Sequence, residues 1–268
     1  MDSIKQAIEL ARATESGARA AISVPVNAAR AGQREPQFRG ARLSEAHLER
    51  TRIIAHGVGT QNGRYYDMLR TQVLQEMDKH SWQFLAVTSP TMGCGKTVTA
   101  CNLAMSIARL AERPVLLVDM DMRKPMVADY LGLETNSGIL SVLRERYTLG
   151  SSLIEASVGP SKFLVLPGEV AASTSSEWMA SQTMGTLLQT IKRDLRSRLV
   201  IFDLPPLLVG DDVISVLPRM DAVLLVAGVG TTSLAEIKEC QKHLRQSNLV
   251  RVVVNKVKDG MDDHYGYY

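Results

Sequence analysis

From residue 82 onward, short apolar runs alternate with stretches of helical period. The runs cover residues 84–88, 115–119, 163–166, 199–203, 222–227 and 250–254. Each is apolar on both faces, as strands sandwiched between two layers are. Helical segments separate them. The pattern predicts an α/β fold with a mostly parallel sheet flanked by helices and joined by right-handed crossovers. Upstream the pattern differs. Residues 3–11 set Ile4, Ala7, Ile8 and Ala11 on one helical face. Residues 15–42 mix Gly, Pro, Ala, Arg and Gln without a sustained period and read as a mobile linker. A helix is expected after Ser44, with Glu45 in its first turn and Gly57 and Gly59 closing it. A third spans about 64–77, with Tyr66, Leu69, Val73 and Met77 at helical spacing. Residues 1–43 are then helix and linker, 44–81 a helical appendage suited to oligomerisation, 82–258 a nucleotide domain, and 259–268 a tail.

The first strand of that domain leads into Ser-Pro-Thr-Met-Gly-Cys-Gly-Lys-Thr and then a helix. Strand, glycine loop and helix in that order are the context of a phosphate-binding loop. Gly93 and Gly95 let the backbone approach a ligand closely. Met92, Gly93, Cys94, Gly95, Lys96, Thr97 and Val98 are the expected nucleotide-binding residues, with their N–H groups at a helix N-terminus. Lys96 is suited to the β- and γ-phosphates and the Thr97 hydroxyl to Mg²⁺. ATP and Mg²⁺ are therefore the expected cofactors.

Two further strands end in acids. Asp119 and Asp121 close the run 115–119 and precede Arg123 and Lys124. In an open parallel sheet, ligands sit at the carboxyl ends of strands. Asp119 is expected to position the metal and its water, and Asp121 to face the incoming nucleophile. Asp203 ends the run 199–203 and is expected to hold Mg²⁺ through water, before Pro205 and Pro206 stop the strand. Asp212 reads as the N-cap of a helix over 213–217. Asn255 reads either as a contact to the adenine edge or as an Asx turn closing the last strand.

Composition adds bounds. The chain is 45% hydrophobic but only 5% aromatic, so its core is aliphatic. A net charge of +3 is too small to argue for nucleic acid. Cys94, Cys101 and Cys240 form no metal-spaced pair and suit a reducing cytosol. No apolar run approaches the roughly 20 residues that span a bilayer. The expectation is a cytoplasmic chain that reaches a membrane only through a partner. The sequence ends Asp-Gly-Met-Asp-Asp-His-Tyr-Gly-Tyr-Tyr. Three of its seven tyrosines, Tyr265, Tyr267 and Tyr268, stand in the last four positions and read as phosphoacceptors. Each phosphate would add about −1.5 to −2 charges, enough for the three to reverse the sign of the chain.

With these pieces placed, the chain resembles the bacterial tyrosine kinases of capsule and exopolysaccharide synthesis. The family's Ser-Pro-x-x-Gly-x-Gly-Lys-Thr/Ser is matched at 89–97, and its Val-Asp-x-Asp-x-Arg-x-Pro by Val118, Asp119, Asp121, Arg123 and Pro125. Its Asp-x-Pro-Pro is matched by Asp203, Pro205 and Pro206, and its tyrosine cluster by Tyr265, Tyr267 and Tyr268. The resemblance implies an ATP-dependent tyrosine autokinase that acts in trans within a homo-oligomer and regulates polymer synthesis and export. It implies activation by a cytoplasmic segment of a membrane chain-length regulator, at the inner membrane, and a tyrosine phosphatase as a further partner. Two departures stand out. Met92 and Cys94 occupy positions where members often carry Pro and an acid, and a thiol there is expected to be unusually acidic. The family's oligomerisation motif, Glu-x-x-Arg-x-x-Arg, is met by Arg64, Asp67 and Arg70, with two charges inverted. Alternative readings are a partitioning-type ATPase switch, which would carry lysine where Thr91 stands, and a non-catalytic nucleotide-binding scaffold of an export complex.

Overall fold

The computed structural model describes residues 38–57, 61–171, 174–196, 198–245 and 247–257. The helix expected over 3–11, most of the expected linker and the tyrosine tail lie outside them. The strands are β1 (Arg39–Arg42), β2 (Phe84–Thr88), β3 (Val115–Asp119), β4 (Ile154–Val158), β5 (Ser161–Leu166), β6 (Leu199–Asp203), β7 (Ala222–Gly228) and β8 (Leu249–Asn255). The helices are α1 (Glu45–Arg50), α2 (Gln61–Lys79), α3 (Lys96–Ala108), α4 (Val127–Leu131), α5 (Ile139–Leu143), α6 (Leu149–Ser152), α7 (Ser175–Ala180), α8 (Gln182–Asp194), α9 (Asp212–Val216) and α10 (Leu234–His243).

The strands form one sheet in the order β1-β4-β5-β3-β6-β2-β7-β8. Every pairing is parallel except β4 with β5. β2, β3 and β7 are buried throughout and β6 is buried from Val200 on, and alternation sends their side chains to two cores. Phe84, Ala86, Leu116, Val118 and Phe202 face one layer, with Met184, Leu188 and Ile191 of α8. Leu85, Val87, Leu117 and Ile201 face the other, with Val73 and Met77 of α2 and most of α3. Each of the larger apolar side chains among these gains about 1.5–3 kcal/mol on burial, so the two layers fix the sheet between them.

The strand pattern of the nucleotide domain stands as expected, with two additions. β4 has a period of two: Ile154, Ala156 and Val158 are buried, Glu155 and Ser157 partly exposed. Its apolar residues never run together, so it lacks the signature of the central strands. Residues 39–42, expected as linker, are instead β1. They carry no apolar period and are mostly exposed. Their strand conformation comes from the backbone of β4, to which they pair in parallel, and from Leu43 N–H donating to the Ser157 carbonyl at 2.8 Å.

Ser44 caps α1 as expected, accepting from His47 N–H. The helix does not run on to Gly57. It stops at Arg50, because Thr51 Oγ1 donates to the Tyr130 carbonyl at 2.7 Å and Arg52 turns left-handed, with φ 64°. Leu43, Leu48, Ile53 and Ala55 belong to the same core as α3, so residues 43–55 pack into the nucleotide domain.

Candidate functional site

The loop after β2 carries two glycines in the left-handed region, Gly93 at φ 79° and Gly95 at φ 94°. A β-carbon on Gly95 would also collide with Asn255 Nδ2. Asn255 comes from the far end of β8. Its Nδ2 donates to the Cys94 carbonyl at 3.0 Å, and its Oδ1 accepts from Lys256 N–H at 2.8 Å. Asn255 therefore closes its own strand in a local turn and braces the phosphate loop.

Lys96 opens α3 and points at acids from the neighbouring strands. Its Nζ lies 2.9 Å from Asp121 Oδ2 and 3.4 Å from Asp203 Oδ1. Burial would lower its pKa, but the charges of Asp203 and then Asp121 outweigh burial and keep the ammonium protonated. The Thr97 hydroxyl donates to Asp203 Oδ2 at 2.6 Å. Asp119 and Asp203 sit side by side in the register of β3 and β6. Asp119 Oδ1 accepts from Asp121 N–H at 3.1 Å, and Oδ2 accepts from Met126 and Val127 N–H at 2.9 and 3.0 Å. Burial, and then the charge of Asp203, push Asp119 up to about 8. Burial likewise raises Asp203. The structure thus brings Lys96, Thr97, Asp119, Asp121 and Asp203 into one cluster.

Cys94 is the exception among the loop residues. Its backbone belongs to the loop, but its fully buried thiol turns to the rear, within 3.2 Å of the Thr91 carbonyl and 3.3 Å of Thr232 Oγ1. Burial alone would raise its pKa, yet the hydrogen bonds of Thr232 and Thr91 bring it below the ordinary thiol value. Asp212 also departs from expectation. Asp211 is the residue before α9, and neither acid makes a side-chain cap. Asp212 Oδ2 instead pairs with Arg123 Nη2 at 2.7 Å, while Arg123 Nε donates to Ser175 Oγ at 3.1 Å. Burying a carboxylate needs a counter-charge, and Arg123 supplies it.

Asp67 and Arg70 are turned inward. Asp67 Oδ1 lies 2.9 Å from Arg70 Nη1, 3.0 Å from Arg109 Nη1 and 2.6 Å from Ser106 Oγ. They tie α2 to α3, a role that one-dimensional motif matching missed.

Met92, Gly93, Gly95, Lys96, Thr97, Val98, Asp121 and Asn255 line one cavity of about 1210 Å³. Pro205 and Pro206 line it too, as do Arg50, Arg52 and Lys124, which the sequence had not singled out as ligand-binding. Mg²⁺ is usually held by one or two carboxylates together with phosphate oxygens. The Thr97 hydroxyl and Asp203 carboxylate are donors of that kind.

Residues 85–265 match the model of the CobQ/CobB/MinD/ParA nucleotide binding domain. Tyrosine-protein kinase YwqD of Bacillus subtilis is 28% identical over 228 residues, covering 83% of this chain and 93% of YwqD. EpsB of Ralstonia nicotianae is 32% identical over 200 residues. The match covers 74% of this chain and 26% of EpsB, so the chain spans about a quarter of that relative. The kinase domain of the Escherichia coli tyrosine kinase ETK superposes with a TM-score of 0.65 at 25% identity, over 75% of this chain and 77% of that one. The chain belongs to the CobQ/CobB/MinD/ParA nucleotide-binding family, and the relatives and solved structure it is similar to are bacterial tyrosine kinases. No helix among the described residues is long and apolar enough to cross a membrane.

Proposed function

We propose that this chain is an ATP-dependent protein-tyrosine autokinase of exopolysaccharide or capsule synthesis, with Tyr265, Tyr267 and Tyr268 as its acceptors. One observation carries the reading. Lys96 is held between Asp121 and Asp203 beside the Thr97 hydroxyl, at the mouth of a glycine loop. Such an arrangement suits phosphoryl transfer, in which positioning and electrostatics do most of the work.

In this scheme the loop amides and Lys96 hold the phosphates. Thr97 and Asp203 would hold Mg²⁺, which supplies charge neutralisation on the phosphate oxygens. Asp119, expected to position the metal, has both carboxylate oxygens engaged by backbone N–H groups and is given a different role here: it keeps Asp121 and the following turn in place. Asp121 orients the tyrosine hydroxyl and takes its proton as the tyrosine oxygen bonds to the γ-phosphorus of ATP, while the bond from that phosphorus to the β,γ-bridging oxygen breaks and ADP leaves. Lys96 leaves Asp121 for the transferring phosphoryl oxygens, which frees that carboxylate for the hydroxyl. Asn255 lines the same cavity, and on this reading it lies near the adenine edge. Acceptors come from a second copy of the chain. A cytoplasmic segment of a membrane chain-length regulator acts as activator, and a tyrosine phosphatase resets the tail. The chain would thus work in the cytoplasm, at the inner membrane through that regulator.

Intact mass and phosphopeptide mapping after incubation with Mg·ATP test this. Phosphate is expected on the three tail tyrosines in the wild type and on none in Lys96→Met. Nucleotide binding without any tail phosphate, with an activator segment present, would overturn the kinase in favour of the switch or scaffold.

A further inference from the structure

We propose that Arg50, Arg52 and Lys124 form a cationic lip that binds the carboxylates preceding the acceptor tyrosines in the 259–268 segment of a second copy of this chain. The inference rests on the kinase reading above and names the acceptor class that the site would prefer: tyrosines flanked by acids.

The lip borders the β3 side of the nucleotide cavity. Lys124 follows Asp121 in sequence, and its N–H donates to Asp121 Oδ1 at 3.0 Å. Arg50 ends α1 and Arg52 follows it, and all three residues line the cavity with exposed side chains. At about 1210 Å³ that cavity exceeds the roughly 300–1,000 Å³ of an ordinary small-molecule pocket. It has room for an acceptor segment beside a nucleotide.

The lack of a carboxylate partner separates the three lip cations from Lys96 and Arg123; Lys256, which follows β8, lines the cavity at another element and is likewise without an ion pair among the described residues. Lys96 is matched by Asp121 and Asp203, and Arg123 by Asp212. Arg50, Arg52 and Lys124 form no ion pair with a carboxylate among the described residues. Arg50 Nη2 lies 3.5 Å from His47 Nδ1. Asp129 lines the same side and pairs with none of the three.

Arg52 is fixed in place. It is the left-handed residue that ends α1: its N–H donates to the Glu49 carbonyl at 3.0 Å and Ile53 N–H donates to the Leu48 carbonyl at 2.7 Å, a common helix C-terminal motif. Asn102 of α3 donates to the Arg52 carbonyl at 2.9 Å and accepts from Ile54 and Ala55 N–H at 2.8 and 3.0 Å. Asn102 also fixes the lip to the phosphate-loop helix itself, so the lip keeps its geometry relative to Lys96.

Asp259, Asp262 and Asp263 precede the three tyrosines. Reach favours a second copy. β8 and β3, which Lys124 follows, are four strand spacings apart, about 19 Å. Four residues from Asn255 to Asp259 span at most about 14 Å. A chain's own Asp259 therefore falls short of the backbone at its own Lys124, whereas a neighbour's is under no such limit.

The test is fluorescence anisotropy of a labelled peptide of residues 259–268 on the full chain with Mg·ADP. The chain's own Asp259, Asp262 and Asp263 are changed to Asn to remove competition. Arg50→Gln, Arg52→Gln and Lys124→Gln should each weaken the peptide about three- to tenfold, with ADP affinity unchanged. The peptide with its three Asp changed to Asn should bind the unaltered lip as weakly as the original peptide binds the triple variant. Added salt should weaken only the acidic peptide. No binding, equal binding of acidic and Asn peptides, or a parallel loss of ADP affinity in the variants would each overturn the lip. A peptide that binds through the lip yet takes no phosphate from Mg·ATP would instead sink the kinase reading. Equal phosphorylation of both peptides would sink the lip and leave the kinase standing.

Discussion

Asp119 and Asp203 stand side by side at the carboxyl ends of β3 and β6, both fully buried. Two carboxylates so placed cannot both ionise cheaply, because burial and mutual repulsion favour the protonated form. Asp119 is pushed from 3.8 to about 8, so the folded chain holds a proton there that the unfolded chain releases near pH 4. A raised carboxyl value means a folded state that binds more protons between pH about 4 and 8. Stability from this group is therefore greatest below that window and falls as pH rises through it. Urea unfolding of the nucleotide-free wild type and of Asp119→Asn across pH 5–8 checks this. The wild type should lose stability relative to the variant as pH rises.

Gly95→Ala should damage the phosphate loop. A β-carbon there meets Asn255 Nδ2, and the φ of 94° strains any side chain. The expected cost is about 1–3 kcal/mol, with ADP affinity reduced tenfold or more. Adding Asn255→Ala removes the collision and leaves the backbone strain, so calorimetry of ADP binding should show partial recovery.

Asp67→Asn should loosen α2 from α3. Asp67 faces Arg70, Arg109 and Ser106, and its loss leaves two guanidinium groups without their shared carboxylate. A fall of about 1–3 kcal/mol in urea unfolding is expected. Light scattering should give the same mass for variant and wild type, because this acid is already engaged within its own chain.

Cys94→Ser should leave ADP affinity within about twofold of the wild type. The thiol faces Thr91 and Thr232, behind the loop, and serine can keep both contacts. Iodoacetamide should label native Cys94 far more slowly than the unfolded chain, since the thiol is fully buried however acidic it is. A large loss of ADP binding in Cys94→Ser, or fast native labelling, would contradict this placement.

Much of the molecule was legible in one dimension. The central strands announce themselves because burial on both faces demands unbroken apolar runs, and 84–88, 115–119 and 199–203 read as strands from residue to residue. Gly93, Gly95, Lys96 and Thr97 were readable because a loop that wraps phosphate leaves little freedom in residue type or spacing. Asp119, Asp121 and Asp203 were readable because a parallel sheet gathers its strand ends on one edge.

The rest depended on partners far along the chain. β1 has no apolar pattern of its own and exists only because β4 offers it a ladder. Asp212 looked like a cap and became the counter-ion of Arg123, 89 positions away. Asp67 looked like part of a surface motif until α3 packed against it. Arg50 and Arg52 reached the cavity because Thr51 and Asn102 fold their loop back over α4 and α3. Sequence alone determined what hydrophobic burial and phosphate chemistry impose locally. Tertiary structure decided which charges meet, because counter-ions are chosen by proximity in space, and spacing along the chain does not encode that.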